Sequence, residues 1–411
     1  MIPASLGATP ALLGALVTLA ALASTAALAS PAAAPRPLSF AEARALADQR
    51  NGDLASARAA VTVAQAGVES AGQLANPALN FGVGPDDPTF TAGLDVKLPL
   101  FGQRGAAIES AAAAARTVEA GVDVQRAKLH AQVRRSYYAL AAAQAQAAGA
   151  EELSKLATQL STLATERFKT GGAAQLEVEQ SDLARQRAER ERVDRQADAA
   201  AASAELAALL GEREAALEAE GAPPIAALPP LEALLARVQT HPEVETLRRQ
   251  QATSLARAHE ERTSLRPLPT VSLLAERLSG SPGFGLRAGL AFDIPLLSWN
   301  GGKIREQEEG AHLAEVQARG AAQRLEGLVR AARTRGAAAV ERAAFYKGPF
   351  IESAARVLGM AQAGYKIGRT SLVSVLQAQT ELASARSRSI DAALDAQRAL
   401  ADLEEAIGAD F

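Results

Sequence analysis

Phe90-Thr91-Ala92-Gly93-Leu94-Asp95-Val96-Lys97-Leu98 decides the fold, because its alternate positions separate by chemistry. Phe90, Ala92, Leu94, Val96 and Leu98 share one face of an extended chain; Thr91, Gly93, Asp95 and Lys97 share the other. The same alternation returns at 284–294. There Phe284, Leu286, Ala288, Leu290, Phe292 and Ile294 oppose Gly285, Arg287, Gly289, Ala291 and Asp293. Period two over about ten residues marks a strand with one apolar and one wet face. Each such strand follows a shorter one across a polar turn. Leu79, Phe81 and Val83 alternate in 78–84, before Pro85-Asp86-Asp87-Pro88; 270–278 precedes a Gly- and Ser-rich turn, though Leu273-Leu274 interrupts its pattern.

Two hairpins make four strands, and four strands cannot close a barrel. An open edge is forbidden in hydrocarbon, where its backbone N–H and C=O groups find no water. Either neighbouring chains complete the sheet, or the hairpins cap a soluble helical bundle. Three copies would supply twelve strands, an ordinary barrel size.

Outward from the hairpins the chain is written twice, roughly 38–211 and 231–408, with the Pro-rich linker 221–230 between the copies. Leu94-Asp95-Val96-Lys97-Leu98-Pro99-Leu100 aligns with Leu290-Ala291-Phe292-Asp293-Ile294-Pro295-Leu296. Phe168-Lys169-Thr170-Gly171 aligns with Tyr365-Lys366-Ile367-Gly368, and Leu210-Gly211 with Ile407-Gly408. The offsets are 196, 197 and 197 residues. Each copy opens with a helix, 39–75 or 231–265, in the first case behind a capping box of Ser39 and Glu42. Pro77, or Pro267 and Pro269, starts the extended chain. After the hairpin comes a very long helix, 104–168 or 302–367, then a glycine turn near 170–173 or 368–371, and a return helix. At 1.5 Å per residue the long helix spans about 98 Å and its flanking helices about 55 Å each. Two shorter helices end to end match one long one, so each repeat can build a double-helical wall.

Composition agrees. Alanine is abundant and favours close-packed helices. A net charge of -3, with both signs mixed along the chain, excludes a strongly basic nucleic-acid binder. Without cysteine there is no thiol catalysis, disulfide, Cys-ligated metal or lipid-modified Cys. His130, His241, His259 and His312 lack an i, i+4 pair and offer no shared metal site. No nucleophile elbow, phosphate loop or dinucleotide fingerprint is present, so neither an enzyme nor a cofactor is expected. Residues 1–29 read as a secretory signal: no charge precedes Arg36, Leu12 to Leu28 is apolar, and Ala27-Leu28-Ala29 is a small-residue cleavage site. An uncleaved membrane anchor is the alternative.

The order helix, hairpin, long helix, glycine turn and helix, given twice, resembles the outer-membrane efflux protein family, known as the TolC family. Asn76-Pro77-Ala78-Leu79, Leu98-Pro99-Leu100-Phe101 and Tyr365-Lys366-Ile367-Gly368 followed by Ser371 to Gln379 carry the resemblance. It implies a mainly α fold with a small β part: a duplicated unit whose four strands complete a trimeric twelve-stranded barrel atop a long α-helical barrel. It also implies an outer-membrane location with a periplasmic extension, and export through a periplasmic adaptor and an inner-membrane pump, of RND type. Segment 99–104, Pro-Leu-Phe-Gly-Gln-Arg, looks most like the heavy-metal efflux (CzcC-like) branch, so metal ions or small molecules are the expected cargo.

By the same resemblance, Phe168, Gly171, Gly172, Tyr365, Gly368 and Arg369 form the periplasmic, adaptor-docking turns. Glu177, Gln180, Ser374 and Gln377 are the pore-constriction candidates. Ser374 and Gln377 are uncharged where some members carry acidic rings, and Glu177 reads first as an ordinary solvated helix charge, with a threefold ring that attracts cations as the other reading. Phe101 and Trp299, just after the strands, are membrane-interface candidates or packing at the barrel–helix junction. Tyr137 and Tyr138 read as seam packing. A periplasmic adaptor or a soluble coiled-coil scaffold would also use long helices, but an adaptor would carry one hairpin flanked by compact β domains.

Overall fold

The computed structural model describes residues 36–212, 216–225, 227–280, 282–293 and 299–410. The signal-like segment and Ile294 to Ser298 lie outside the described residues. In chain order the elements begin with β1 (Arg36–Leu38), α1 (Phe40–Arg50), α2 (Gly52–Ala71), β2 (Ala78–Val83) and β3 (Phe90–Lys97). The first repeat closes with α3 (Gln103–Lys169), α4 (Gln175–Leu209) and β4 (Leu217–Ala219). The second has α5 (Leu231–Val238), α6 (Pro242–Thr263), β5 (Leu268–Arg277), β6 (Phe284–Asp293), α7 (Gly301–Phe345), a π turn at Tyr346–Phe350, α8 (Ile351–Lys366) and α9 (Leu372–Ile407).

Each opening helix, expected as one piece, is two. Asn51 ends α1 in an extended conformation, and its side chain accepts from the Leu54 N–H to cap α2. His241 does the same for α6, with Nδ1 accepting from the Glu243 N–H and Pro242 in the first turn, where a missing N–H costs nothing. Both break residues also reach the end of their repeat's return helix. Asn51 Nδ2 donates to the Leu209 carbonyl at 3.0 Å, and His241 Nε2 lies 2.9 Å from the Glu405 carbonyl. Against each break the return helix stops on a left-handed glycine, Gly211 (φ 72°) or Gly408 (φ 65°). A Cβ on Gly211 would lie 2.6 Å from the Arg50 carbonyl oxygen, and one on Gly408 would run into the Pro242 ring. Only glycine meets both demands, the positive φ and the close approach.

The second long helix, expected to be continuous over 302–367, is interrupted. Gly348 leaves helical geometry (φ -100°, ψ -126°) beside Pro349, which has no N–H to donate and whose ring crowds the carbonyl four residues back. The first long helix runs unbroken over 67 residues.

The two hairpins form one sheet in the order β2-β3-β5-β6, antiparallel throughout, rather than two small ones. Its register puts Leu79, Leu94, Leu273 and Ala288 in one row, and Phe81, Ala92, Ala275 and Leu286 in another. Leu273 therefore keeps to the apolar face. Leu274, its pattern-breaking neighbour, lies over Gly93 on the other face, where no side chain competes for the space.

Packing places the helices side by side in a single layer. Near the sheet the order is α2, α3, α6, α7; toward the far end it is α4, α3, α9, α8. At mid-length a waist adds bulk. The short parallel pair β1–β4, which sequence alone did not suggest, packs with α1 on α3, where Tyr137 donates to the Leu38 carbonyl at 2.9 Å and accepts from the Glu220 N–H at 3.1 Å. Leu38, Leu54, Leu140, Leu206 and Leu210 are buried there, and Leu234, Val238, Leu325, Val329, Leu403 and Ile407 form the second repeat's counterpart. The Pro-rich linker is part of this belt: Gln397 donates to the Pro224 carbonyl and Arg333 to that of Pro229. Joining the two halves, Arg134 of α3 makes a buried two-point ion pair with Glu404 of α9 at 2.6 and 2.7 Å.

Candidate functional site

Two regions carry chemistry suited to a duct: the far end of the helices and the sheet. At the far end, α3 stops at Thr170 and the left-handed Gly171 (φ 76°), with the Gly172 N–H donating to the Arg167 carbonyl at 2.7 Å. Gly368 (φ 76°) ends α8 in the same way, with the Arg369 N–H donating to Gly364 at 2.8 Å. Ser371 then caps α9, its Oγ accepting from the Ser374 N–H.

The two turns are tied together. Arg167 donates from one guanidinium nitrogen to the Gly172 carbonyl (2.6 Å) and from another to the Tyr365 carbonyl (3.1 Å), with its plane 4.5 Å above the Tyr365 ring. Tyr365 is fully buried among Leu160, Leu358, Leu372 and Val375, and its hydroxyl donates to Glu177 at 2.9 Å. Burial first, and the Glu177 bond second, hold its pKa above the usual tyrosine range, so it stays a donor at neutral pH.

Glu177 is therefore a linker between α4 and the second turn, half-buried rather than a plain solvated charge. Gln180 and Gln377 come together, facing one groove between α4 and α9 with Leu183, Arg187 and Leu376. Ser374 is exposed and serves the helix cap, its Oγ 3.0 Å from Ser371 Oγ. Phe168 and Arg369 are exposed on the turns. Sequence reasoning missed Arg167; it aligns with Gly364 in the other repeat, so the duplication gave no mark of it.

The sheet is amphipathic as a whole. On one face Phe81 is 72% exposed, Leu286 82%, and Leu79, Val83, Phe284 and Leu290 are exposed as well. The other face carries its charges in pairs. Arg287 meets Glu276 at 2.9 Å, Lys97 meets Asp293 at 3.8 Å, and Asn80 donates to Asp95 at 2.5 Å. Phe101 and Trp299, just beyond the strands, are exposed. No described helix is long and apolar enough to cross a membrane, and no described group of three or more His, Asp or Glu is arranged to hold a metal ion.

The sequence profile of the outer membrane efflux protein family matches residues 44–212 and 237–409, one stretch in each repeat. The chain belongs to that family. Among curated proteins, none matches this sequence. Solved structures with this fold include VceC, an outer membrane protein from Vibrio cholerae (TM-score 0.72, 18% identity, 90% of this chain and 96% of that one). CusC, described as forming a transmembrane channel, gives a TM-score of 0.71 at 18% identity over 90% and 92% of the two chains. The CmeC outer membrane channel of Campylobacter jejuni gives 0.67 at 14% over 90% and 85%. At such identities the likeness is one of fold; the family profile carries the function, an outer-membrane efflux channel.

Proposed function

We propose that three copies of this chain form a passive outer-membrane duct, supplied from the periplasmic side by an adaptor and an inner-membrane pump of RND type. The observation that carries the reading is the sheet: one face exposed and apolar, and β2 and β6 both left as open edges. The helical layer ends on the same two sides, with α2 and α4 following the β2 edge and α7 and α8 following β6. Copies joined edge to edge around an axis close sheet and helices together.

Three copies also give a sensible bore. Each contributes four helices abreast, so twelve at ~10 Å spacing make a ring about 38 Å across between axes and leave a lumen of about 28 Å. Eight helices would leave only about 15 Å. Such a duct does no chemistry; its energy comes from the pump. In this reading the turns around Gly171, Gly172, Gly368 and Arg369, with Phe168, are the adaptor-docking tip. The link from Arg167 through Tyr365 to Glu177 holds the tip narrow, with Gln180, Ser374 and Gln377 beside the constriction. Phe101 and Trp299 sit at the periplasmic membrane interface, residues 1–29 direct secretion, and metal ions or small molecules are the cargo.

Fractionation tests the assembly: a heat-resistant trimer in outer-membrane fractions supports it, and a monomer in the periplasm ends it. Tolerance to a panel of metals and drugs after deletion tests the cargo, and wild-type tolerance to every metal and drug in the panel would refute that part.

A further inference from the structure

The interruption of the second long helix is built around aromatic rings. Phe345, Tyr346 and Phe350 pack mutually, with ring centroids 5.2, 5.5 and 5.6 Å apart, on the helix nearest one edge of the layer. Phe345 is 60% exposed, costly for a ring in a chain with only 4% aromatics. It lies two residues beyond Ala343, which is buried, so it points about 200° away from the packed side of its helix. In a single layer that direction is the open edge.

The opposite edge at the same level is rich in arginine. Hydrogen bonds across the layer give the level. Arg342 pairs with Asp395 of α9; Gln146 of α3 donates to Asp391 of α9 and accepts from Arg195 of α4. A second rung runs from Arg386 of α9 to Glu152 of α3, and from Ser154 of α3 to Glu189 of α4. Counting along the antiparallel helices, residues 345–350 are level with about 191–196 of α4. Arg190 borders that segment; its side chain is 74% exposed and paired one turn on with Asp194 at 2.6 Å, and it lies two residues beyond the buried Ala188 and therefore also faces outward. Rotation about a common axis preserves height, so neighbouring copies bring these two levels together.

We propose that the rings of Phe345, Tyr346 and Phe350 form a socket on one protomer that receives Arg190 from α4 of a second copy. The reading rests on the ring assembly proposed above. Guanidinium groups sit favourably over aromatic faces, and Arg is the cation best suited to stacking there. The site is about 65 Å along α3 from the sheet, which removes lipid as the occupant. The kink has a purpose in this arrangement: without the break at Gly348 and Pro349 the regular helix would carry Phe350 away from Phe345.

The chain's lack of cysteine makes the test clean. Phe345→Cys combined with Arg190→Cys is treated with a bismaleimide in the assembled protein, and its mass is taken by native mass spectrometry. A ladder of covalent dimers and trimers from the double variant, with none from either single one, is expected. A multimer of correct mass without the ladder overturns the socket and leaves the ring standing; a monomeric mass overturns both. Phe345→Lys should weaken each interface about 3- to 30-fold, and Arg190→Glu in the same chain should restore it. Equal weakening in both backgrounds removes arginine as the guest.

Discussion

Adjacent substitutions Leu290→Arg and Gly289→Arg place the same charge at nearly the same depth on opposite faces of β6, and should differ sharply in membrane insertion. The ten residues of β6 extend about 34 Å and, tilted as barrel strands are, cover about 25 Å of bilayer. Leu290 lies within about 4 Å of the strand's midpoint along that normal. Its row-mates are Val271 and Val96, so an arginine there stands among hydrocarbon with no partner. The expected cost is about 2–4 kcal/mol per chain, or about 30- to 900-fold in folded yield at equilibrium.

Gly289 faces the other way, in a row with Ser272 and Asp95. A Cβ there meets Ser272 at 3.6 Å, an ordinary contact, and an arginine gains water and a nearby carboxylate. Its cost should stay below about 1 kcal/mol, the range of ordinary surface changes. Folding into phospholipid vesicles across a urea series, read as the heat-resistant band on a gel, measures both. Equal losses for the two variants would refute the face assignment, and a larger loss for Gly289→Arg would invert it.

At the tip, Tyr365→Phe removes only the bond to Glu177, a change of about 0.5–1.5 kcal/mol, so the open fraction in single-channel recordings should rise about 2- to 10-fold; no rise would clear that bond of any part in closure. Because the Tyr365 pKa is raised, its bond is fully present below the ordinary tyrosine range and is lost only as pH rises through the raised value, so recordings should not change between about pH 6 and 9. Glu189 behaves oppositely. Hydrogen bonds from Arg192 first and Ser154 second lower its pKa to about 2, so its contribution is present above the ordinary carboxylate value and fades as pH falls toward 2. The melting difference between wild type and Glu189→Gln should accordingly be flat from about pH 8 to 5 and vanish in acid. Arg134→Ala takes two guanidinium bonds from the buried Glu404 and should cost about 3–5 kcal/mol in calorimetry, against about 0–1 kcal/mol for Arg386→Ala at its exposed pair; similar melting temperatures would contradict the burial argument.

Much of this was readable from residue order because periodicity is a local property. The alternation through Phe90 to Lys97 and Phe284 to Asp293 identifies strands and their faces whatever covers them. The left-handed turns at Gly171 and Gly368 are also local, since few other residues adopt that φ. What stayed hidden depends on partners far along the chain. Asn51 and His241 break their helices because each has a carbonyl at the end of a distant return helix to bind. The β1–β4 pair joins residues about 180 positions apart with three residues each, too few for a pattern. Arg167 gains its place from a carbonyl and a ring in the other repeat. Pro349 is the exception: its chemistry announces a break, and the helical pattern on both sides of it obscured that.

The duplication also locates the surfaces that serve other chains, through its failures. The two waists are alike down to the glycine that seats against each helix break, because each must solve the same internal packing problem. The long helices are not alike. Helix α3 lies in the middle of the layer, packed by α2, α4, α6 and α9, where a kink would cost contacts on both sides; it is unbroken. Its counterpart lies at an edge, is broken at Gly348, and carries three clustered rings of which Phe345 is turned outward. An edge helix can bend at little internal cost, so a bend retained together with exposed aromatic surface is best explained by a gain outside the chain. Accordingly, Gly348→Ala with Pro349→Ala, which lets the helix run straight, should leave the monomer's melting unchanged or higher while lowering the dissociation temperature of the assembly. A variant whose assembly dissociates at the wild-type temperature would show that the kink serves the protomer alone.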